Sequence, residues 1–353
     1  MKGAHPEIKS TTFVFLSLEG NRFSRTINYR NGLEKMGFEL FWFEIDPQKK
    51  NSQIGDIVRK FESLDVIYVV ASPSHILVPY LRFKTRRKVV LDAGWPLYDG
   101  VIQSRRKFGI LGWRLLWTFL LDFLTFHLAS KVFLETNSQI DVCSRRYLLL
   151  KRKLCCLATG FDENRVTEFV SSKSDSKKAL APIVLFRGGP QEEAGLNVLF
   201  DAIKYVTEST EVRFIVVSKV QISQRWQHQQ LEVINDFQQD DVLWDLYRKA
   251  DIVLGQLSNH ARLDKTLPHK FFEAGFFEKA YVSSDRGVIR QYIHTNEVAG
   301  FRAGDPRDLA RVIDNLLSSQ NQIRQFSDSV SALYRRDFAQ GVLTKKFLEF
   351  SNS

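Results

Sequence analysis

The feature that most constrains this chain is the alternation, along most of its 353 residues, of short β-branched runs with longer helical stretches. Such alternation predicts parallel sheets that are covered by helices on both faces. In the first half of the chain it predicts six strands, namely Thr12–Leu18, Glu39–Ile45, Asp65–Ala71, Lys88–Asp92, Lys131–Glu135 and Leu154–Ala158.

The pattern is interrupted once, by a polar run over residues 171–178 that reads as a solvated linker. It then restarts with strands predicted at Pro182–Arg187, Val212–Ser218, Ile252–Leu257 and Ala280–Ser284, and with helical stretches such as Leu196–Val206 and Asp308–Leu317. We therefore expect a domain over residues 1–165, a linker over 166–180, a second domain over 181–340 and a terminal helix or tail over 341–353. In open parallel sheets ligands bind beyond the carboxyl ends of the strands, which predicts a site in a cleft between the two domains.

The positive charge of the chain is concentrated in its first half. Residues 1–160 contain 25 basic and 14 acidic side chains, whereas residues 161–353 contain 25 and 26. Two basic clusters contribute, Arg82 to Lys88 and Arg105 to Lys107. They predict either a surface that rests on an anionic membrane, at about 1 kcal/mol per charge, or ordinary solvated basic helices.

Residues 108–129 are rich in Leu, Phe and Trp, but Arg114, Asp122 and His127 interrupt them. A membrane span is disfavoured because each ionised group near the bilayer centre costs about 2.5 to 3.5 kcal/mol. Two readings remain, a buried helix and a helix lying in the membrane interface, and we favour burial.

The sequence lacks the motifs of several classes of enzyme and of nucleic-acid-binding proteins. The chain has no Walker loop, no Gly-x-Gly-x-x-Gly after a strand, no Gly-x-Ser-x-Gly, no His-Glu-x-x-His and no Asp-x-Asp. No nucleic-acid recognition signature accompanies the net charge of +10, so we predict no nucleic-acid partner. The three cysteines fit no disulfide framework and the first residues lack an apolar stretch, which predicts a cytoplasmic protein.

The segment with the clearest chemistry is Leu267 to Ala274. Pro268 suits the first position of a helix, whose exposed N–H groups and positive dipole end would attract an anion, and Lys270 adds a full charge in the first turn. Glu273 lies three residues later on roughly the same face. Taken alone, this spacing fits a routine surface ion pair as well as a site for a nucleoside diphosphate.

The order of motifs from Asp251 to Leu317 resembles the donor-binding domain of GT-B glycosyltransferases, particularly the retaining enzymes of glycosyltransferase family 4. The matching pieces are an Asp-led strand at Ala250–Gly255, the Pro-x-Lys-x-x-Glu run ending at Glu273, a strand and glycine loop at Ala280–Gly287, and an acidic Pro turn with a helix at Gly304–Ala310. The resemblance implies an α/β fold with two Rossmann-like domains that face a central cleft.

The resemblance also implies a hexosyltransferase-type enzyme, and it assigns roles to individual residues. Lys270, Arg187 and main-chain N–H groups would stabilise the departing diphosphate, and Asp92 would orient the acceptor hydroxyl. Donor binding would fall to Glu273 at the ribose, Pro268 and His269 at the helix start, Ser218 near the base, and Gly188 and Gly189 in the glycine loop. It implies retention of anomeric configuration without a metal or other cofactor.

The acceptor side is expected in the first domain, at Gly20, Arg22 and Trp95, where plain turns are an equally good reading, as a turn cap is for Asp92. Four positions depart from the pattern of the family: Gly189 and Ala194 replace a basic pair, and Lys265 and Arg290 each replace a glutamate. We therefore expect a transferase that moves sugar from a nucleotide-sugar to a glycan or lipid-linked acceptor, in polysaccharide or glycolipid biosynthesis at the inner face of the cytoplasmic membrane. The alternative is an inactive GT-B scaffold or nucleotide-sugar-binding protein.

Overall fold

The computed structural model describes residues 11–20, 23–104, 111–164, 166, 181–207, 211–220, 226–236 and 238–353. Arg22, the basic cluster Arg105 to Lys107 and the predicted linker at 171–178 lie outside the described residues. By its internal contacts the chain divides into two compact units, one of Met1–Thr159 with Leu343–Ser353 and one of Gly160–Val342.

The first unit contains a sheet of six parallel strands. These are β1 (Thr12–Leu18), β2 (Leu40–Ile45), β3 (Val66–Ala71), β4 (Lys88–Gly94), β5 (Lys131–Leu134) and β6 (Leu154–Cys156). Their order is β2-β1-β3-β4-β5-β6, so the direction of winding changes between β1 and β3. The strands are rich in Val, Ile, Leu and Phe because helices cover both faces of the sheet.

The helices of the first unit connect these strands. They are α1 (Ser24–Lys35), α2 (Lys50–Lys60), α3 (Leu77–Lys84), α4 (Leu97–Ser104), α5 (Leu111–Leu128) and α6 (Asn137–Arg146), and a last helix, Gln340–Asn352, returns to this unit from the end of the chain. Its Phe347 stacks on Tyr29 of α1 and on Phe133 of β5, with ring centroids 4.4 and 5.0 Å apart. The terminal segment is therefore part of the first core.

The second unit repeats the architecture. Its strands are β7 (Ile183–Arg187), β8 (Arg213–Val217), β9 (Leu231–Ile234), β10 (Ile252–Leu254), β11 (Ala280–Ser284) and β12 (Ala299–Phe301). They are parallel in the order β12-β11-β10-β7-β8-β9, which places the change of winding between β7 and β10. The helices are α7 (Leu196–Ile203), α8 (Asp240–Lys249), α9 (His269–Phe276), α10 (Arg290–His294), α11 (Pro306–Leu317) and α12 (Gln320–Asp337); the terminal helix Gln340–Asn352 is α13.

All ten predicted strands are present, and two others, β9 and β12, were not predicted. β9 has the sequence LEVI and pairs on one side only, and β12 has three residues, so neither has a long apolar run. The helix predicted over Asp308–Leu317 begins two residues earlier, at Pro306. Asp305 caps it by accepting hydrogen bonds from the N–H groups of Arg307 and Asp308, and Pro306 occupies the first turn.

The preference for a buried helix over residues 108–129 is wrong for most of α5. Asp122, Thr125 and Phe126 are buried, whereas Trp113, Leu116, Trp117, Leu120 and Leu124 are exposed. Asp122 faces inward because its carboxylate accepts the N–H groups of Leu97 and Tyr98 at the start of α4. Among the helices of the described ranges, none is long and apolar enough to span a bilayer.

Candidate donor site

The candidate donor site lies in the second unit, where β7 and β10 lie side by side and the winding reverses. The carboxyl end of β7 leads into Arg187 and Gly188, and that of β10 leads into Gly255 and Gln256. At such a point the loops turn to opposite faces of the sheet and leave a crevice, which is where open α/β sheets bind ligands.

Lys270, in the first turn of α9, reaches this crevice and is only 4% exposed. Its Nζ donates hydrogen bonds to the Gly255 carbonyl at 2.7 Å and to Gln256 Oε1 at 3.4 Å, and lies 3.8 Å from the centre of the Phe186 ring. Burial, together with the positive charge of Arg187, lowers the pKa of Lys270 well below its ordinary value. An anion bound here would relieve that penalty by restoring an opposite charge.

Glu273 lies one turn further along α9 and is 2% exposed. Its Oε1 accepts a hydrogen bond from Arg187 Nη1 at 2.9 Å, and its Oε2 accepts one from the Tyr247 hydroxyl. The charge of Glu273 raises the pKa of Arg187, while burial raises that of Tyr247. Lys270, Glu273 and Arg187, predicted as one site, are thus brought together; the routine surface pair is excluded because Lys270 and Glu273 are both buried.

Sequence reasoning missed Tyr247. It lies on α8 one turn after Trp244, so its spacing is that of any apolar helix face. Its ring packs against those of Trp244 and Phe277. Only the packing of α8 beside α9 reveals that its hydroxyl points at Glu273. The same holds for Gln256, which has no recognisable motif around it.

The predicted glycine loop follows β7. A Cβ on Gly188 would lie 3.6 Å from Lys270 Nζ, so a side chain there would occupy the space in front of the ammonium group. Gly195, at the start of α7, has φ +71° and its missing Cβ would lie 2.5 Å from the backbone nitrogen of Ser258. Glycine is required at Gly195 by both its conformation and this close approach. Gly189 shows no such backbone contact.

Buried hydroxyl groups near the crevice lack protein partners. Ser218, which follows β8, is 4% exposed, and its Oγ makes no hydrogen bond within the described part of the chain; the same is true of Ser284 Oγ. Buried polar groups are normally hydrogen-bonded. These two hydroxyls are therefore candidates for contact with a ligand, and Ser218 is the one predicted near the nucleotide base.

The predicted start of α9 is displaced by one residue. Pro268 has extended backbone angles, φ −73° and ψ 146°, and takes the N-cap position, so the helix begins at His269. The Pro268 carbonyl accepts the N–H of Phe271 at 2.9 Å. Lys270 is consequently the second helical residue, and it remains in the first turn as expected.

In the first unit, Asp92 is fully buried at the end of β4. Its Oδ1 accepts from Arg25 Nε at 2.6 Å, and its Oδ2 accepts from Thr26 Oγ1 at 2.9 Å and from the Tyr29 hydroxyl. All three donors lie on α1. Asp92 thus ties α1 to the sheet, an arrangement that neither the acceptor-orienting nor the turn-capping prediction described.

Two of the other predicted acceptor-side residues, Gly20 and Trp95, lie beyond the carboxyl ends of β1 and β4. Gly20 has φ +75° in an exposed turn, and the Trp95 ring contacts Phe23 edge-on at 5.6 Å. Nearby, Ser74 Oγ accepts the N–H of Leu18 at 2.8 Å. Arg25 Nη2 and Ser72 Oγ are buried and have no hydrogen-bond partner within the described ranges, and both were missed because neither belongs to a motif.

The described residues contain no group of three His, Cys, Asp or Glu side chains that would hold a metal ion. The charged side chains around the crevice are two cations, Lys270 and Arg187, and one carboxylate, Glu273, and this set suits an anionic ligand. Independence of metal and of other cofactors stays a prediction.

No protein-family model and no curated protein matches the chain. Solved structures do. A glycosyltransferase from Rickettsia africae ESF-5 has a TM-score of 0.70 at 14% identity, covering 98% of each chain. HepE of Anabaena, solved with UDP, has 0.67 at 13%, covering 96% of this chain and 98% of that one. Sucrose-phosphate synthase from Thermosynechococcus elongatus has 0.69 at 11%, covering 97% and 98%.

These similarities show that the chain has the fold of GT-B glycosyltransferases. The predicted α/β class with two Rossmann-like domains is confirmed, both by these neighbours and by the two parallel sheets. The narrower resemblance to family 4 stays a prediction.

Proposed function

We propose that this protein transfers a sugar from a nucleotide-sugar to a glycan or lipid-linked acceptor. The observation that carries the proposal is the buried cluster of Lys270, Glu273 and Arg187 at the point where the winding of the second sheet reverses. Among the described residues Lys270 forms no ion pair with a carboxylate, and a buried ammonium group of this kind in front of a glycine loop suits a departing diphosphate.

Catalysis would consist mainly of stabilising negative charge on the leaving group. Breaking the bond between the anomeric carbon and the phosphate oxygen leaves a nucleoside diphosphate, whose charge Lys270 and the N–H groups at the start of α9 would meet. Arg187 would contribute a second charge. Because these donors are already held by the fold, no reorganisation is needed as charge develops.

Glu273 would position the ribose. Each carboxylate oxygen has two acceptor sites, and Arg187 and Tyr247 use one on each, so a ribose diol has acceptor sites left. The unpartnered Ser218 hydroxyl would contact the base. HepE was solved with UDP and with UDP-glucose, which makes a uridine diphosphate sugar the first donor to test.

The finer features follow the family resemblance. We propose a retaining, metal-independent hexosyltransferase that acts in polysaccharide or glycolipid biosynthesis, on the inner face of the cytoplasmic membrane. The acceptor would bind in the first unit, near Gly20, Arg22 and Trp95. The basic excess of residues 1–160 supports a membrane-held acceptor.

The second candidate is a protein of the same fold that binds nucleotide-sugar without turnover. It is favoured by Gly189 and Ala194, where many relatives have a basic pair, and by Lys265, where many have a glutamate. Binding of the nucleotide is common to both candidates, so only transfer or hydrolysis of the donor separates them.

The test is a thermal-shift panel of UDP, GDP, ADP, dTDP and CMP on the wild type, Lys270→Ala and Glu273→Ala. Stabilisation by one diphosphate that both variants lose supports the donor site; Lys204→Met, an exposed lysine paired with Asp201, is the matched control. Donor hydrolysis is then measured with the sugar form of that nucleotide. Absence of any shift contradicts the proposed donor site, and binding without turnover supports the second candidate.

A further inference from the structure

The exposed side of α5 is apolar, which reverses the usual arrangement of a surface helix. Trp113, Leu116, Trp117, Leu120 and Leu124 recur at spacings of three and four residues, so they form one stripe. Trp113 is 74% and Trp117 53% exposed, whereas the inward side holds the polar residues Asp122 and Thr125. Soluble surfaces rarely keep such a stripe without a partner.

A neighbouring helix widens the stripe into a groove. Phe83 of α3 is 86% exposed, and an apolar pocket of about 280 Å³ lies between the two helices, lined by Tyr80, Phe83, Trp117, Leu120, Leu121 and Leu124. Packing α3 and α5 against the sheet leaves these side chains outside. We call the stripe and this groove the α3–α5 surface.

The exposed charged side chains of α3 and α5 are positive. Arg82 and Lys84 on α3 and Arg114 on α5 are exposed, and the one acidic side chain on these two helices, Asp122, is buried. At the carboxyl end of α5 lies a second pocket of about 700 Å³, whose ionisable side chains are Arg82, His127, Lys131, Arg152 and Lys153. Burial lowers the pKa of Lys153, and the nearby positive charge of Arg82 lowers it further.

The apolar stripe and the positive charges beside it together favour a membrane as the partner of the α3–α5 surface. Large apolar side chains, two of them tryptophan, flanked by arginine and lysine are the composition of a surface that enters the headgroup region of an anionic bilayer. A second copy of the chain is a poorer occupant, because a two-fold interface would bring the same positive charges together.

We propose that the α3–α5 surface docks on an anionic lipid bilayer, with the apolar stripe in the interface and the basic pocket against the headgroups. Since α5 precedes β5 and runs antiparallel to it, its first turns lie toward the carboxyl edge of the first sheet. That is the edge with the predicted acceptor residues. The inference deepens the membrane part of the proposed function and assigns it to a surface.

The experiment is co-sedimentation with phosphatidylcholine vesicles, with and without about one third phosphatidylglycerol. We expect the wild type to partition onto the anionic vesicles at low salt. Trp117→Ser combined with Leu120→Ser and Leu124→Ser should weaken binding about ten-fold or more, and Arg82→Gln with Lys84→Gln about five-fold per charge. Met36→Ser, at an equally exposed apolar residue directly after α1, is the matched control and should bind as the wild type does.

A second readout separates insertion from attraction by charge alone. Brominated lipids should quench the tryptophan fluorescence of the wild type, and Trp113→Phe with Trp117→Phe should keep binding while losing most of the quenching. Thermal unfolding must show that each variant is folded. The nucleoside diphosphate shift should stay unchanged in all of them, so failure of docking and failure of the donor site are distinguishable.

Three results would overturn the proposal. One is a wild type that does not bind anionic vesicles at low salt. Another is a serine variant that binds as well as the wild type. The third is a wild type that is dimeric by light scattering and becomes monomeric in the serine variant, since the α3–α5 surface would then be covered by a second copy.

Discussion

Arg187, the last residue of β7, donates a hydrogen bond at 2.9 Å to Glu273, which lies 86 residues later on α9. The Tyr247 hydroxyl takes the other carboxylate oxygen, so one buried acid joins three separate elements of the second unit. Beside it, Lys270 has no carboxylate partner among the described residues and uses a carbonyl and an amide oxygen instead. This asymmetry leaves a positive charge available to a ligand.

Lys270→Met should reduce donor hydrolysis or transfer by about 10² to 10³ in rate, because it removes one preorganised cation from the leaving group. It should also remove a pH dependence of stability. Burial lowers the pKa of Lys270 in the folded state, so between that pKa and the ordinary value of 10.5 the unfolded chain binds more protons, and wild-type stability rises with pH.

These two effects are measured by steady-state kinetics and by urea unfolding at neutral and mildly alkaline pH. Lys204→Met, which replaces an exposed lysine on the same unit, should leave both the rate and the pH slope as in the wild type. Unchanged turnover in the Lys270→Met protein would show that Lys270 takes no part in the reaction.

Tyr247→Phe should weaken donor binding, because Glu273 loses the hydroxyl that holds Oε2 while the aromatic packing is kept. The loss of a hydrogen bond to a charged group predicts a destabilisation of about 1.5 to 3 kcal/mol. Calorimetric titration with the nucleoside diphosphate and urea unfolding give the two quantities. Tyr205→Phe, at a half-exposed ring, is the control, and equal behaviour of the two variants would contradict a role for Tyr247.

Asp92→Asn should destabilise the first unit by about 3 to 5 kcal/mol, since it leaves the buried Arg25 guanidinium without its counter-charge. Unfolding followed by circular dichroism measures the change. Asp141→Asn, which breaks an exposed pair with Lys151, should leave the free energy of unfolding close to that of the wild type, because solvent screens such a pair. A stable Asp92→Asn protein with a raised KM for the acceptor would instead favour the acceptor-orienting role predicted from the sequence.

His75→Met should make the protein less sensitive to acid. Burial lowers the pKa of His75 to about 4, below its ordinary value of 6.5, so the unfolded chain binds the extra proton first and wild-type stability falls as the pH drops from about 6.5 to 4. Over this pH range, protonation of His75 in the unfolded chain lowers the free energy of unfolding by about 3 kcal/mol. Above pH 7 the substitution should be nearly neutral, because the buried ring is then uncharged and methionine replaces it with an apolar side chain of similar size.

Unfolding free energies at pH 5 and pH 7.5 test this, with His228→Gln at an exposed loop as the control. The wild type and the control should lose stability in parallel on acidification, and His75→Met should lose less. A His75→Met protein with the full wild-type slope would show that His75 is not the responsible group.

Local patterns in the sequence identified much of the fold. Val, Ile, Leu and Phe runs bounded by polar turns predicted ten strands, and the helical pattern of Asp308–Leu317 predicted most of α11. The spacing of Lys270 and Glu273 predicted that they share roughly one face of a helix. Each of these features depends on residues within a few positions of one another, so the periodicity of the chain encodes it directly.

What only the tertiary structure decided involves residues that are far apart in the chain. Tyr247 and Arg187 reach Glu273 because of the order of the strands in the second sheet, which no local pattern specifies. The α5 stripe was expected inside because Leu, Phe and Trp are usually buried, but Asp122 binds the start of α4 and turns the stripe outward. The apolar composition of a segment predicts that its surface is shielded from water. Only the arrangement of helices and strands shows whether the rest of the same protein shields it.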